Sequence, residues 1–170
     1  MKILPLVAIL FCLGCEHAMN RNLPVVEKVD LQTYMGKWYE IARYPNTFQK
    51  GCRNSRATYT LKPDGQVEVL NECERDGKTS SAKGTAWVVD PETGARLKVS
   101  FFWPFRGDYW IIKLGRDYEY SVVSEPSMKY LWILSRTPEL PKTTLEAIEK
   151  NLADLGFDLS RLIYNKTGTD

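Results

Sequence analysis

The stretch Gly36-Lys-Trp38-Tyr-Glu-Ile41 opens the first of eight short runs in which apolar and polar residues alternate. The last run lies within Leu131-Trp-Ile-Leu-Ser-Arg136-Thr-Pro138. Alternation with a period of two is typical of strands that bury one face. Eight such strands joined by tight turns predict either a β-sandwich or an up-and-down antiparallel barrel. The predicted strands span residues 38–43, 56–61, 66–73, 79–89, 96–102, 109–114, 118–124 and 130–135.

The pattern changes to a helical one after the last strand. Pro141 suits the first turn of a helix, and Gly156 suits the position after its C-terminus. We therefore expect a helix over about residues 141–155, with its apolar face on the outside of the barrel, and a final extended segment over 157–164. The apolar residues at helical spacing are Leu145, Ile148, Leu152 and Leu155.

Composition excludes several classes of function. The chain has 170 residues but only one histidine, His17. A Ser-His-Asp or Cys-His arrangement within the domain, or a metal site with two histidines, is therefore not expected. The net charge of +2 gives no reason to expect a nucleic-acid partner. We predict a protein that is not an enzyme and that needs neither metal nor cofactor.

The N-terminus has the pattern of an export signal. Lys2 precedes an apolar run over residues 3–13, which is too short to cross a bilayer core of about 30 Å. The run ends at Leu13-Gly14-Cys15, which resembles the lipobox of bacterial lipoprotein signals. The resemblance implies cleavage before Cys15 and attachment of lipid, palmitate included, to that cysteine. An ordinary signal peptide with no role for Cys15 is the alternative. The predicted divisions are a signal peptide over 1–14, a lipid-anchored linker over 15–29 and a barrel domain over 30–170.

Two cysteines remain once Cys12 is assigned to the signal and Cys15 to the lipid. Cys52 and Cys73 flank a predicted β-hairpin, which would bring them close together. In an exported domain such a pair predicts a disulfide, and closing a loop of about 20 residues stabilises the fold by about 3 kcal/mol. The alternative of a redox-active dithiol lacks the C-x-x-C spacing.

The inward-facing side chains of the predicted strands differ in size. Ala82, Gly84 and Ala86 are small, whereas Tyr59 and Phe101 are aromatic. Small residues on one strand leave room for a ligand, and an eight-stranded barrel can hold one small molecule. A filled core remains an alternative. The candidate ligand-binding residues are Ala57, Tyr59, Val69, Ala82, Gly84, Ala86, Leu97, Val99, Phe101, Tyr109 and Trp132.

The Gly-x-Trp sequence at 36–38, together with Arg136 at the end of the last strand and one following helix, resembles the lipocalin family. The likeness is strongest to bacterial outer-membrane lipoprotein lipocalins and to apolipoprotein D. It implies an eight-stranded antiparallel up-and-down barrel. Trp38 would fill the closed end of this barrel, and Arg136 would stack on its indole.

The resemblance also implies a function. We expect a protein tethered to the periplasmic face of the outer membrane that binds and stores or transports fatty acids or lysophospholipids, with the oligomeric state, including a homodimer, left open. Two alternatives remain. One is an enzyme on the same scaffold that acts on a lipid, for which Glu40 is the available carboxylate. The other is a structural envelope lipoprotein with a filled barrel. The aromatic stretch 101–105 suits this second alternative, and it also suits a membrane-contacting rim.

Overall fold

The computed structural model describes residues 23–165. The predicted signal peptide, the predicted anchor Cys15 and His17 lie outside the described residues. Within the described part of the chain, no helix is both long and apolar enough to cross a membrane.

Nine strands and two α-helices are found among residues 23–165. The strands are β1 (Gly36–Arg43), β2 (Arg53–Leu61), β3 (Val67–Arg75), β4 (Lys78–Val88), β5 (Arg96–Phe102), β6 (Phe105–Leu114), β7 (Tyr120–Ser124), β8 (Leu131–Ser135) and β9 (Ile163–Tyr164). The helices are α1 (Leu31–Tyr34) and α2 (Lys142–Asp154), and a single 3-10 turn covers Leu159–Arg161.

Strands β1 to β8 form a closed antiparallel barrel in which each strand pairs with its neighbours in sequence. Strand β1 closes the barrel because it pairs with β8 on one side and with β2 on the other. The short strand β9 pairs with β1 at Ala42 and Arg43, beyond the point where the β1–β2 pairing stops. This topology confirms the predicted up-and-down barrel and excludes the sandwich.

The wall formed by β6, β7, β8 and β1 is buried on both faces, which explains its long apolar runs. Ile111, Val123 and Leu134 belong to the cluster inside the barrel. Their sequence neighbours belong to a second cluster on the outside, because successive residues of a strand point to opposite faces. Ile148 and Leu152 of α2 are fully buried in that outer cluster. The predicted docking of the helix on the barrel is therefore confirmed.

Seven of the eight predicted strands differ from the observed ones by one to four residues at one or both ends, and β6 and β7 show the causes. Strand β6 begins at Phe105, four residues before the predicted start at 109, because β5 and β6 stay paired as far as Phe102 and Phe105. Strand β7 begins at Tyr120 rather than at 118, since Tyr118 has a φ of +58° and belongs to the preceding turn. The final extended segment predicted over 157–164 is wrong for most of its length, because only Ile163–Tyr164 is a strand.

The packed chain also reaches further towards the N-terminus than residue 30. Leu23 and Val29 are buried, although both fall in the predicted linker. The backbone N–H of Val26 donates to the carbonyl of Ile111, and that of Val29 donates to Thr93. Residues 23–29 therefore lie against the barrel rather than away from it.

Candidate functional site

One end of the barrel is sealed by Trp38 and Arg136, the pair expected from the sequence. The guanidinium carbon of Arg136 lies 3.8 Å from the ring centroid of Trp38, which is 0% exposed. The indole Nε1 of Trp38 donates to the carbonyl of Tyr34 at 2.9 Å. Arg136 donates from Nη1 to Lys37, from Nη2 to Thr33 and from Nε to Tyr118, in each case to a backbone carbonyl. The stack and these hydrogen bonds hold the closed end together.

The short helix α1 covers this closed end. Asp30 caps the helix, because its side chain accepts a hydrogen bond from the backbone N–H of Thr33 at 2.8 Å. Gly36 follows with a φ of +95°, and a Cβ there would lie 3.4 Å from Nη1 of Arg136. The backbone therefore needs a glycine between α1 and Trp38, which accounts for the first residue of the Gly-x-Trp sequence.

A cavity of about 920 Å³ fills the barrel above Trp38 and opens at the opposite end. Its size lies within the range of small-molecule sites, and its wall is mostly apolar. All candidate ligand-binding residues from the sequence line this cavity except Gly84. Those that line it are Ala57, Tyr59, Val69, Ala82, Ala86, Leu97, Val99, Phe101, Tyr109 and Trp132.

Gly84 does not line the cavity, because the ring of Phe101 covers it. A Cβ at Gly84 would lie 2.8 Å from Cδ1 of Phe101 and 2.8 Å from the carbonyl oxygen of Ser100. The space left by this glycine is therefore filled by a side chain of the adjacent strand. The glycine lets the Phe101 ring lie close against the wall, and Phe101 itself lines the cavity.

Three tyrosines line the end of the cavity nearest Trp38. The hydroxyl of Tyr109 is hydrogen-bonded to that of Tyr34 at 2.8 Å and to that of Tyr59 at 3.0 Å, and Tyr34 is also hydrogen-bonded to Oγ of Ser121 at 2.8 Å. Burial raises the pKa of Tyr34 to about 12 and raises the pKa of Tyr59 and Tyr109 as well. These phenols are therefore neutral at physiological pH. We call Tyr34, Tyr59, Tyr109 and Ser121 the floor hydroxyls.

A polar group lies in the wall nearer the opening. Glu40 is only 4% exposed, and its Oε2 accepts a hydrogen bond of 2.6 Å from Nε2 of Gln49. Nη1 of Arg43 lies 3.5 Å from the other carboxylate oxygen. Burial raises the pKa of Glu40, although the Gln49 hydrogen bond and the Arg43 charge both oppose this shift. Gln49 also accepts from Nε1 of Trp132 at 2.9 Å, so the group connects β1, β8 and the loop between β1 and β2.

The predicted disulfide is confirmed at the open end. Cys73 lies in β3, Cys52 lies one residue before β2, and their sulfur atoms are bonded, with the Cα atoms 5.4 Å apart. Nη2 of Arg75 lies 3.3 Å from Cys52 Sγ and donates to the carbonyl of Phe48 at 3.0 Å. The disulfide and Arg75 together hold the β1–β2 loop against the barrel rim.

Aromatic side chains surround the opening on two sides. Phe102, Trp103 and Phe105 form the tip of the β5–β6 hairpin, and each is 77–79% exposed. We call these three residues the aromatic hairpin. In a separate group, the ring of Tyr130 lies 5.8 Å from that of Phe48 and 5.9 Å from that of Trp132. The sequence indicated the stretch 101–105 as a candidate rim, but Phe48 and Tyr130 were not among the candidate residues.

The fold and the cavity together define a class of protein: a closed antiparallel barrel with one helix on its wall and an apolar cavity that opens at one end. Comparison with known families agrees with this class. The family model described as a lipocalin-like domain matches residues 29–167. The chain belongs to the lipocalin family.

Individual relatives come from several kingdoms. Temperature-induced lipocalin-1 of Arabidopsis thaliana is 40% identical over 152 residues, which cover 84% of this chain and 82% of the relative. Outer membrane lipoprotein Blc of Vibrio cholerae is 40% identical over 156 residues, covering 90% and 89%. Among solved structures, insecticyanin from the tobacco hornworm Manduca sexta matches with a TM-score of 0.71 and 21% identity, covering 86% of this chain and 85% of that protein. At this identity the structural match supports the fold alone.

Proposed function

We propose that the protein binds long-chain lipids, namely fatty acids or lysophospholipids, in the barrel cavity and stores or transports them in the cell envelope. The observation that carries this proposal is the apolar cavity of about 920 Å³ that opens at the end away from Trp38. Each buried methylene contributes about 0.8 kcal/mol. Micromolar affinity corresponds to about 8 kcal/mol, so a long acyl chain suffices even after the cost of ordering it.

The charge distribution supports an orientation in which the lipid headgroup stays at the opening. Charged side chains of both signs line the cavity near its mouth, the basic Arg56, Arg75 and Arg106 and the acidic Glu72, Asp108 and Glu125. At the other end, the guanidinium of Arg136 lies against Trp38 and does not line the cavity. An ionised headgroup therefore keeps contact with water and charged side chains at the mouth, and the apolar chain extends towards Trp38.

Binding can be tested by titrating the delipidated protein with a fluorescent fatty acid and displacing it with a lysophospholipid. We expect saturable binding and full displacement. Val99→Glu places a charge in the cavity wall and should weaken binding at least tenfold. Thr85→Glu is the matched control, since Thr85 lies on the neighbouring strand β4 but does not line the cavity. Absence of saturable binding by folded wild-type protein would refute the proposal.

We further propose that Cys15 carries lipid that holds the protein on the periplasmic face of the outer membrane. The lipobox-like sequence supports this location, and so does the relative from Vibrio cholerae, which is named an outer membrane lipoprotein. Cys15→Ser should release the protein from the membrane fraction and abolish incorporation of labelled palmitate. Retention of the variant in the outer membrane would exclude an anchor at Cys15.

An enzymatic role is less well supported than binding. Glu40 lines the cavity, but its carboxylate is held by Gln49 and Arg43 and acts in our proposal as a fixed polar group of the wall. The enzymatic alternative would be favoured if wild-type protein converted a lipid substrate that Glu40→Gln did not convert.

The alternative of a structural lipoprotein with a filled barrel is disfavoured by the cavity itself.

The aromatic hairpin favours one additional role, contact between the cavity mouth and a membrane surface. Its three rings form an exposed apolar tip beside the opening, the kind of patch that marks an interaction site. Replacing all three rings by serine should reduce cosedimentation with phospholipid vesicles and leave fatty-acid affinity unchanged. Equal cosedimentation of both proteins would exclude this contact.

A further inference from the structure

The floor hydroxyls are placed where the chain of a bound lipid would end. Tyr34 lies on α1, Tyr59 on β2 and Tyr109 on β6, and the three line the cavity next to Trp38. Ser121 lies behind them and is fully buried. The side chains around these hydroxyls are apolar, Val67, Leu97 and Val123 among them. A group of polar hydrogens at the bottom of an apolar cavity is costly to bury unless each hydrogen finds an acceptor.

The floor hydroxyls cannot supply an acceptor for each of their own hydrogens. The hydroxyls form one line, Tyr59 to Tyr109 to Tyr34 to Ser121, joined by three hydrogen bonds. Each hydroxyl has one hydrogen to donate, so the line holds four. Three are used within the line, and residues 23–165 supply no further hydrogen-bond partner to these hydroxyls. One O–H remains without an acceptor, and it can belong to any member of the line, depending on the direction of the bonds.

The charge state of the phenols keeps this hydrogen in place. Burial raises the pKa of each of the three tyrosines, so deprotonation does not remove the surplus donor at physiological pH. The positive charge of Arg136 influences Tyr34 and Tyr59 from beneath Trp38 and favours a partner with negative partial charge. The floor is therefore complementary to an oxygen that accepts a hydrogen bond.

We propose that the floor hydroxyls form a binding subsite for an uncharged oxygen, a carbonyl or hydroxyl, at the far end of a long-chain lipid. The preferred ligand is an acyl chain oxygenated near its terminal methyl group, with its ionised carboxylate at the mouth. This inference rests on the proposed lipid-binding function and specifies the ligand class. The reach is sufficient, since β3 leads from Val67 at the floor to Cys73 at the rim over six residues, about 20 Å at about 3.3 Å per residue.

The test compares two ligands of equal length, hexadecanoic acid and 15-oxohexadecanoic acid, as competitors of a fluorescent fatty acid. In wild-type protein the oxo acid should bind about tenfold more tightly, because the plain chain leaves the surplus O–H without an acceptor or leaves a water molecule there. Equal affinities for the two acids, or tighter binding of the plain acid, would overturn the inference. Failure of both acids to bind would instead refute the proposed function itself.

Variants of the floor hydroxyls give a second test. Changing Tyr34, Tyr59 and Tyr109 to Phe and Ser121 to Ala in one protein removes every donor while keeping the rings. The variant therefore leaves no buried hydroxyl without a hydrogen-bond partner and is compatible with folding. This variant should lose the preference for the oxo acid and bind hexadecanoic acid as well as wild type or better. A preference that survives in it would overturn the inference.

Tyr109→Phe alone has the opposite expected result. It divides the line into Tyr59 on one side and Tyr34 with Ser121 on the other, so two hydrogens rather than one lack an acceptor. The preference for the oxo acid should therefore persist or grow, and its disappearance would contradict the hydrogen count. Tyr118→Phe is the control, because Tyr118 accepts from the backbone of Asp30 and does not line the cavity. It should leave the ratio of affinities unchanged.

Discussion

Trp38 and Arg136 at the closed end of the barrel find hydrogen-bond partners, whereas several polar groups at the open end do not. At the closed end, Trp38 and Arg136 donate to backbone carbonyls and stack on each other. At the open end lie all four of the buried side-chain polar atoms that find no hydrogen-bond partner within residues 23–165. They are Glu40 Oε1, Arg43 Nε, Ser55 Oγ and Arg75 Nε. Satisfied groups stabilise a fold, whereas unsatisfied ones at a cavity are available to a ligand or to water. Trp38 and Arg136 at the closed end therefore carry stability, and recognition falls to the open end and to the floor hydroxyls above Trp38.

Replacing one tryptophan at each end tests this division most strongly. Trp38→Ala should lower the free energy of unfolding by about 3–5 kcal/mol, because it empties a fully buried site and removes the stack with Arg136. Trp103→Ala, at the tip of the aromatic hairpin, should change it by less than about 0.5 kcal/mol, because Trp103 is 79% exposed. Urea denaturation followed by circular dichroism measures both. Similar losses for the two variants would remove the distinction between the ends.

The disulfide is the main stabilising feature that the open end possesses. Changing Cys52 and Cys73 together to serine should lower the free energy of unfolding by about 3 kcal/mol, since the bond closes a loop with a sequence separation of 21. The same urea experiment measures the loss, with the reduced wild-type protein as the matched comparison. A loss below about 1 kcal/mol would mean that Arg75 and the aromatic rings hold the β1–β2 loop without the bond.

Arg136 is expected to depend on its planar shape rather than on its charge alone. Arg136→Lys keeps the charge but cannot reach three carbonyls and stack on Trp38 at once, so stability should fall by about 1–2 kcal/mol. Arg106→Lys, an exposed arginine at the cavity mouth, is the control and should have no measurable effect. If both substitutions were neutral, the carbonyl contacts of Arg136 would contribute nothing net to the closed end.

The sequence predicted the strands far better than the contacts between residues that are distant in the chain, and the reason is the distance along the chain over which each is determined. Strand alternation and the Gly-x-Trp sequence are local patterns, and they located the barrel strands and the cavity-facing side chains on them. The polar group around Glu40 depends on the path of the β1–β2 loop, which returns Gln49 to β1. The floor hydroxyls join Tyr34 to Ser121 across 87 residues. No local periodicity encodes such contacts, and Gly84 shows that a small residue alone does not reveal whether ligand or protein fills its space.

The smallest expected effect concerns the pH dependence of stability at the open end. Because burial raises the pKa of Glu40 above its usual 4.5, the folded state binds this proton more tightly than the unfolded chain does. The contribution of Glu40 is therefore present below pH about 4.5 and is lost as the pH rises through its folded-state pKa. Asp30, Asp90 and Asp158 have lowered pKa values, so their contributions to stability are lost as the pH falls rather than as it rises, and only below about pH 3.8.

Unfolding in urea at a series of pH values above 4.5 should thus show a fall in stability for wild type that Glu40→Gln lacks. The variant leaves Arg43 without its ion pair, which shifts the whole curve but not its slope. Parallel curves for the two proteins above pH 4.5 would show that Gln49 and Arg43 fully compensate the burial of this carboxylate.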